Sequence, residues 1–506
     1  MFIYLYLPLL FITLYTITQH FLHKILNHPP TPFPTLPLFG HIYLLSTNPK
    51  LPLHRTLSSI SDRHGPITFL QLGSRPVLLV SSPSAAKQCF TENDVVFANR
   101  PNLLNGKHFG YNFTSLQWSS YGDHWRNLRR ISSVELLSSH QLNLRSGILK
   151  YEARALIRKI LGNFSDSNEI VGLRSVFFEY SYNVVMRMIT GEEEEGGEIG
   201  GSVVFEEIVG EMARVTIDAN VIDFVPFVGS IWGWFWNVEE KMVLVQRKRD
   251  EFMKNVIEEC LRRREGGGGG GAGGGCGKKD LIQILKDLQK KESEYYTDEA
   301  IRNLLLVLVQ GATHTTSTTL EWALSLLLKN PAILQKARTQ IENHTQNKCL
   351  ITLSDLPEIP YLRCIINETL RMHPAAPLLT PHVSSEKCMI GGFDIPRGTI
   401  LLVNAWDIQN NSEIWEEPEK FMPERFEGDK IYEFKYFPFG WGRRACPGEN
   451  LAINMVGIVL GCLIQCFDWE SVGEIDMSEG GGVITEKVEP LCVKFVPRDF
   501  VLDFFS

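Results

Sequence analysis

No aspartate, glutamate, lysine or arginine occurs from Met1 to His23, and the first charge is Lys24. A basic excess is also missing. Lys+Arg number 50 against 58 Asp+Glu, a net charge of −8, which argues against a nucleic-acid partner. No C-x-x-C pair is found among the ten cysteines, which speaks against a zinc ribbon or a thioredoxin-type site. Ten cysteines in 506 residues are too sparse for a disulfide scaffold. Most are expected to be reduced, buried and inert, so the question is whether one differs. With 44% hydrophobic and 21% charged residues, the chain is that of a folded protein. At about 150 residues per domain the length suggests about three domains, a soft prior that the pattern along the chain does not support.

What stands in place of the missing N-terminal charges is apolar. Residues 2–17 are mostly Leu, Ile, Phe and Tyr, and about 20 such residues span a bilayer core. No basic segment precedes the run and no small-x-small cleavage site follows it. Residues 1–23 therefore read as an uncleaved anchor rather than a signal peptide. Thr13, Thr16 and Thr18 make the span modest and compatible with tilt. Lys24, Lys50 and Arg55 follow it, and the positive-inside rule then leaves the bulk of the chain in the cytosol. The five N-x-S/T sequons, at Asn112, Asn163, Asn343, Asn367 and Asn410, are then chance occurrences. Residues 24–40 form a proline-rich hinge. Five prolines fall between Pro29 and Pro37, which excludes helix and favours a stiff extended segment. It either sets the standoff from the membrane or is a passive linker.

The remainder, residues 41–506, reads as one mainly helical domain with small β-sheets (α+β). Residues 67–80 have the pattern of a hairpin with a Gly-Ser-Arg-Pro turn. Helical periodicity dominates from about Leu136, with a long apolar helix over Asp298–Leu328. Two low-complexity insertions occur: an acidic run at 192–197, and residues 266–277, which hold ten glycines in twelve positions. The second is expected to be a mobile surface loop.

The chemistry concentrates at Phe439-Gly440-Trp441-Gly442-Arg443-Arg444-Ala445-Cys446-Pro447-Gly448. Gly442 and Gly448 would let the backbone turn tightly and approach a flat partner. Cys446 precedes an apolar helical stretch, Leu451–Phe467, whose N-terminus would stabilise a thiolate. Arg444 supplies a cation for an anionic group. A lone cysteine in a loop is most often structural, but the spaced F-x-x-G-x-R-x-C-x-G pattern makes that improbable here. The stretch resembles the haem-binding signature of the cytochromes P-450. The resemblance implies that Cys446 is the axial thiolate of a haem iron, favouring O–O cleavage, with Phe439, Gly442, Arg444 and Gly448 at the haem. Cys462 and Cys466, one turn apart on the next helix, read as core.

Three further features support it. Glu368-x-x-Arg371 lies in a helix over Tyr361–Met372 and shares one face. Followed by Pro423-Glu424-Arg425-Phe426, it resembles the family's ion-pair triad, so Glu368, Arg371 and Arg425 are expected to brace the cysteine loop. Trp125 and Arg129, in His124-Trp125-Arg126-Asn127-Leu128-Arg129-Arg130, match the family's W-x-x-x-R and are expected at the haem propionates. His382, in Pro381-His382, and Arg444 resemble two more propionate contacts. Arg126 and Arg130 are either a solvated basic face or a dock for an acidic redox partner. The long helix carries Gln310-Gly311-Ala312-Thr313-His314-Thr315-Thr316. Its register makes Thr315 the threonine that orders water on the oxygen-binding side. Ala312 replaces a glycine of the pattern and His314 replaces its acid. Either these are tolerated, or an imidazole titrating near ~6.5 alters the proton supply.

The resemblance covers nearly the whole chain and extends to plant microsomal members, most closely to the isoflavone 2′-hydroxylase-type subfamily. It implies a triangular, helix-rich prism with haem b held between the long distal helix and the cysteine-loop helix. It further implies a single-pass endoplasmic-reticulum membrane protein with a cytosolic catalytic domain. Electrons would come from NADPH through a separate FAD/FMN reductase, with O2 and a small aromatic substrate. The expected reaction is hydroxylation of a flavonoid-like, phenolic, indolic or alkaloid metabolite. The alternatives are oxidative coupling or ring closure, owing to His314 and Ala312, and a non-catalytic haem- or ligand-binding protein. A reductase-independent hydroperoxide isomerase is disfavoured by the intact cysteine loop, Thr315 and the anchor.

Overall fold

Apolar residues that return every three or four positions close into helices when one face has a partner to bury it, and this chain does so repeatedly. In the computed structural model, residues 2–45, 51–162, 170–192, 200–225, 234–265, 279–428 and 432–505 are described. The expected glycine-rich loop and most of the acidic insertion lie outside them.

The central element is helix Asp298–Lys329, capped at its start by Thr297, whose hydroxyl accepts from the Ala300 amide at 3.1 Å. It packs on helices Arg174–Thr190 and Glu449–Cys466. The latter is long and apolar enough to cross a membrane, yet 78% of it is buried within the protein, which makes it a core helix. It ends where Phe467 opens a strand, so the expected helix over Leu451–Phe467 starts two residues earlier and stops one sooner. Helix Pro360–Met372 joins the same core.

The strands are β1 (Ile67–Leu72), β2 (Arg75–Val80), β3 (Val171–Gly172), β4 (His382–Val383), β5 (Cys388–Ile390), β6 (Phe393–Ile395), β7 (Ile400–Val403), β8 (Phe467–Ser471) and β9 (Cys492–Pro497). One sheet has the order β1-β2-β7-β4, a second β3-β9-β8, and β5 pairs with β6 alone. The hairpin expected over 67–80 is present, but its turn is Gly73-Ser74. Arg75 pairs with Leu72 and Pro76 with Gln71, so both belong to the strand. Pro76 is accommodated because the parallel pairing of β2 with β7 begins at Val77.

The N-terminal helix runs over Phe2–Ile25. Leu9, Leu10, Phe11 and Leu14 on it are 62–65% exposed. The prolines after it are not helical, as expected, and they are tied down. The Phe69 amide donates to Pro30 O at 2.8 Å, His41 Nε2 contacts Pro32 O at 2.9 Å, and the Tyr43 hydroxyl donates to Pro34 O at 3.0 Å.

Gly73 shows why the turn residue matters. Its φ is +57°, and a Cβ there would sit 1.7 Å from Phe224 O. Gly73→Ala is expected to destabilise the protein by about 1–3 kcal/mol, read as a lowered thermal midpoint. An unchanged midpoint would show that the turn is not constrained.

Candidate active site

A cavity of about 790 Å3 is lined by Cys446, Thr315, Arg129, Arg444 and His382 among others, which places residues distant in sequence around one space. Cys446 lies between a short turn, Gly442–Arg444, and the N-terminus of helix Glu449–Cys466. Its amide donates to Phe439 O at 2.9 Å, and its Sγ accepts from the Gly448 amide at 3.3 Å. The Phe439 ring lines the same cavity. Burial pushes the Cys446 thiol up, while the Gly448 amide and the Arg129 guanidinium pull it down. The helix N-terminus favours a thiolate and the surrounding protein opposes it, while the side chain itself is exposed on the cavity side.

The other cysteines differ in kind. Cys462 and Cys466 are buried core residues, and burial raises the first to about 12. Cys349 and Cys492 are exposed, so the expectation of burial does not hold for every remaining cysteine.

Of the two glycines of the motif, Gly442 makes the tight turn that was expected. Gly442 has φ +72°, and a Cβ there would meet Asp94 Oδ1 at 2.5 Å and Phe90 O at 3.0 Å. The close neighbour is therefore protein. Gly448 has an ordinary φ of −93°, and its Cβ would make normal contact with Cys446 Sγ at 3.8 Å. Asp94 also takes Arg443, with Nε to Oδ2 at 2.7 Å. Arg443 is thus neutralised within the fold.

Beside Cys446, cations gather without acids. Arg129 Nη1 donates to Ala445 O at 2.6 Å. Arg444 donates to Ala98 O at 2.7 Å and Ser119 O at 2.5 Å, and its Cζ lies 4.4 Å from the centre of the Trp125 ring. Arg100 donates to Thr380 O at 2.9 Å and Pro381 O at 2.8 Å. His382, in β4, contacts Phe97 O through Nδ1 at 2.7 Å. Every partner named here is a neutral carbonyl. Burial lowers Arg444 to about 10 and Arg100 to about 9, each helped by the nearest arginine, and drives His382 well below its ordinary value. Among the described residues, no carboxylate forms an ion pair with any of these four. A concentration of desolvated cations without anions fits a group that brings two carboxylates. Arg100 was not singled out in the sequence, although Phe97-Ala98-Asn99-Arg100-Pro101 contains it. The expected basic face is present in part. Arg130 is exposed and donates to Asn127 Oδ1 at 3.1 Å, while Arg126 pairs with Asp123.

Below the loop, Glu368 and Arg371 are fully buried and pair twice, at 2.7 and 2.9 Å. Arg425 Nε reaches Glu368 Oε1 at 3.2 Å, and the Met422 amide reaches the same oxygen at 3.0 Å. The expected triad is therefore assembled. Its link to the cysteine loop is a residue that sequence reasoning missed. Arg371 Nη1 donates to Gln409 O at 2.8 Å, and Gln409 Oε1 accepts from the Phe437 amide at 3.0 Å, two residues before Phe439.

On the long helix, the Thr315 hydroxyl lines the cavity and donates to Gly311 O at 2.7 Å. Its oxygen is free to accept, whereas donating into the cavity requires a rotamer change. Ala312 also lines the cavity. His314 Nε2 pairs with Glu486 from the loop before β9. Burial holds this imidazole below its ordinary value against the pull of Glu486. Glu486 carried no motif in the sequence, and only the fold brings it to the helix.

The family model for "Cytochrome P450" matches residues 29–494, and the chain belongs to that family. It is 42% identical to "Cytochrome P450 81Q32" of Catharanthus roseus, over 94% of this chain and 92% of the relative. It is 40% identical to an "Isoflavone 2′-hydroxylase" of Glycyrrhiza echinata, over 92% and 91%. A solved zebra fish cytochrome P450 with progesterone superposes with a TM-score of 0.75 at 23% identity, over 88% of this chain and 100% of that one. The fold is that of a cytochrome P450, and the protein is a monooxygenase of the oxidoreductase class; the family implies haem iron.

Glu368→Ala would leave two buried guanidinium groups without their acid. It is expected to cost about 3–5 kcal/mol and to abolish accumulation of folded, haem-loaded protein, measured by absorbance per protein. Normal loading would show that the triad does not hold the loop.

Proposed function

We propose that the protein is a membrane-anchored haem-thiolate monooxygenase that hydroxylates an aromatic plant specialised metabolite, flavonoid-like or a related phenolic, indolic or alkaloid compound. The observation that carries this reading is that Cys446, Thr315 and an acid-free set of cations line one cavity. Haem b would be held by Cys446 at the iron and by Trp125, Arg100, Arg129, Arg444 and His382 at its carboxylates, and it supplies the activation of O2. Phe439, Gly442 and Gly448 shape the loop, while Glu368, Arg371 and Arg425 hold it from behind. Thr315 orders water and moves a proton at its hydroxyl oxygen. Apolar walls exclude bulk water and suit a planar substrate.

Residues 1–23 act as the single-pass anchor in the endoplasmic-reticulum membrane and 24–40 as the hinge, leaving 41–506 as one cytosolic catalytic domain. A separate FAD/FMN reductase passes electrons from NADPH and docks near the exposed Arg126 and Arg130. Its acidic patch would match these charges. Similarity to isoflavone hydroxylases supports the aromatic substrate class.

A second reading is favoured by the pair His314–Glu486. The carboxylate missing from position 314 is returned by Glu486 from another element, through an imidazole. Proton delivery of altered reach would favour ring closure or oxidative coupling over hydroxylation.

Cys446→Ala is expected to abolish the red-shifted Soret band of the reduced CO complex; its survival would refute the ligand assignment. Microsomes carrying the protein and a reductase are expected to convert a member of a flavonoid, lignan and alkaloid panel with NADPH. Absence of product from both wild type and His314→Asp would leave the non-catalytic binding reading standing. Glu486→Gln removes the group that favours the imidazolium. It is expected to lower the His314 pKa further, read by histidine NMR, and to divert NADPH consumption toward peroxide. Unchanged titration and coupling would show that the pair is only structural.

A further inference from the structure

Among the described residues, two further cations without an ion pair line the cavity away from Cys446: Lys487, which donates to Asp476 O, and Arg249, which lies over the Phe109 ring. Arg249, on helix Trp234–Glu265, is 2% exposed and lines the cavity. Its Nη1 donates to Gln246 Oε1 at 2.6 Å and to Phe109 O at 3.3 Å, and its Nη2 donates to Gln310 Oε1 at 2.9 Å. All three acceptors are neutral. The neighbouring acid, Asp250, is engaged by Arg302 Nε at 2.7 Å and by the Tyr111 hydroxyl at 2.6 Å. Among the described residues, no carboxylate lies within ion-pair distance of Arg249, and its Nε makes no hydrogen bond. Burial lowers it only to about 10, so it remains a cation at neutral pH. Arg174, also at the cavity, is different, because Glu321 matches it at 3.0 Å.

Gln310 lines the cavity beside Arg249, whereas Gln246 is not among the lining residues, so Arg249 and Gln310 are the polar groups that this part of the wall presents. Buried donors and cations without acceptors are costly, and a ligand that supplies an acidic oxygen offsets that cost. Gln310 and His314 are four residues apart and share a helix face. Along that face Arg249 holds one residue and Glu486 the next, so the cavity has a cationic and an acidic station. An anionic group is drawn to the first and repelled by the second, which fixes its orientation. Gln310 precedes Thr315 by five residues, about 7.5 Å along the helix at about 1.5 Å per residue. That spacing suits one aromatic ring with a short tether.

We propose that Arg249, with Gln310, anchors an acidic oxygen group of the substrate, so that the protein selects aromatic acids over neutral analogues. This rests on the monooxygenase reading and names the substrate class for it. A purely structural Arg249, tying its helix to Phe109 and Gln310, would bind both kinds of ligand alike.

The test uses the full-length holoprotein with biphenyl-4-carboxylate and its methyl ester as probes, followed by equilibrium titration of tryptophan fluorescence; Trp118 and Trp125 line the cavity. Wild type is expected to bind the acid about tenfold more tightly than the ester or better. Arg249→Gln is expected to lose that preference while binding the ester within about threefold of wild type. Arg249→Met serves the same comparison should Arg249→Gln lose the reduced CO band. No preference in wild type, no binding of either probe, or a preference that survives both substitutions would overturn the proposal. Failure of the monooxygenase reading shows separately, as absence of the CO band and of NADPH-dependent product.

Discussion

Burying a positive charge where no negative charge can reach it is the constraint around which this molecule is arranged. The chain has a net charge of −8, so acids are not scarce, and many cations outside the cavity have one beside them. Lys336 lies between Glu424 and Glu427, and Arg443 lies on Asp94. Arg100, Arg129 and Arg444 do not. They end on backbone carbonyls of three different segments, which fixes their positions without cancelling their charge. Carbonyl dipoles hold an arginine in place, but they do not return the solvation it has lost. A carboxylate-bearing ligand completes such a site, and folding without one leaves it under electrostatic tension.

The triad beneath the loop follows the opposite rule, and the contrast explains why one is framework and the other binding site. Glu368 sits between two guanidinium groups and an amide, so each buried cation there has a carboxylate partner inside the protein. The outer guanidinium donors are then spent on backbone carbonyls, Arg371 on Gln409 and Pro418 and Arg425 on Glu417. This network passes stiffness to the loop through Gln409 and the Phe437 amide. The cysteine is therefore positioned by a chain of directional bonds that begins in a buried ion pair, and helix packing alone would not specify its place so closely.

What could be read in the sequence was what lies close together in it. The motif around Cys446 spans ten residues, Trp125 and Arg129 are one turn apart, and Glu368 and Arg371 share a face; in each, spacing alone carries the geometry. Helix Asp298–Lys329 was legible because a long apolar periodic run leaves few alternatives. Arg100, Gln409 and Glu486 were not, since each acts on a partner far along the chain. Glu486, for instance, meets a helix residue 172 positions earlier. The tight turn at Gly442 was legible, but its neighbour was not. Sequence shows that a side chain is absent but not what would have occupied its space, and at Gly442 that neighbour is Asp94.

The distal side shows how a departure from a pattern is absorbed. A histidine in place of an acid changes charge, reach and titration at once, and a lone buried imidazole would add a polar group without a partner. Glu486 resolves this locally, but it commits the loop around Val483 and Ile484, which also lines the cavity, to a fixed approach to the helix. Residues that shape the substrate space are thereby coupled to the residue that sits beside Thr315. The same loop is held as well by Trp322 Nε1, which donates to Thr485 O at 2.7 Å, and by the Thr485 amide, which donates to Ala375 O at 3.0 Å, so its approach to the helix does not rest on the pair alone.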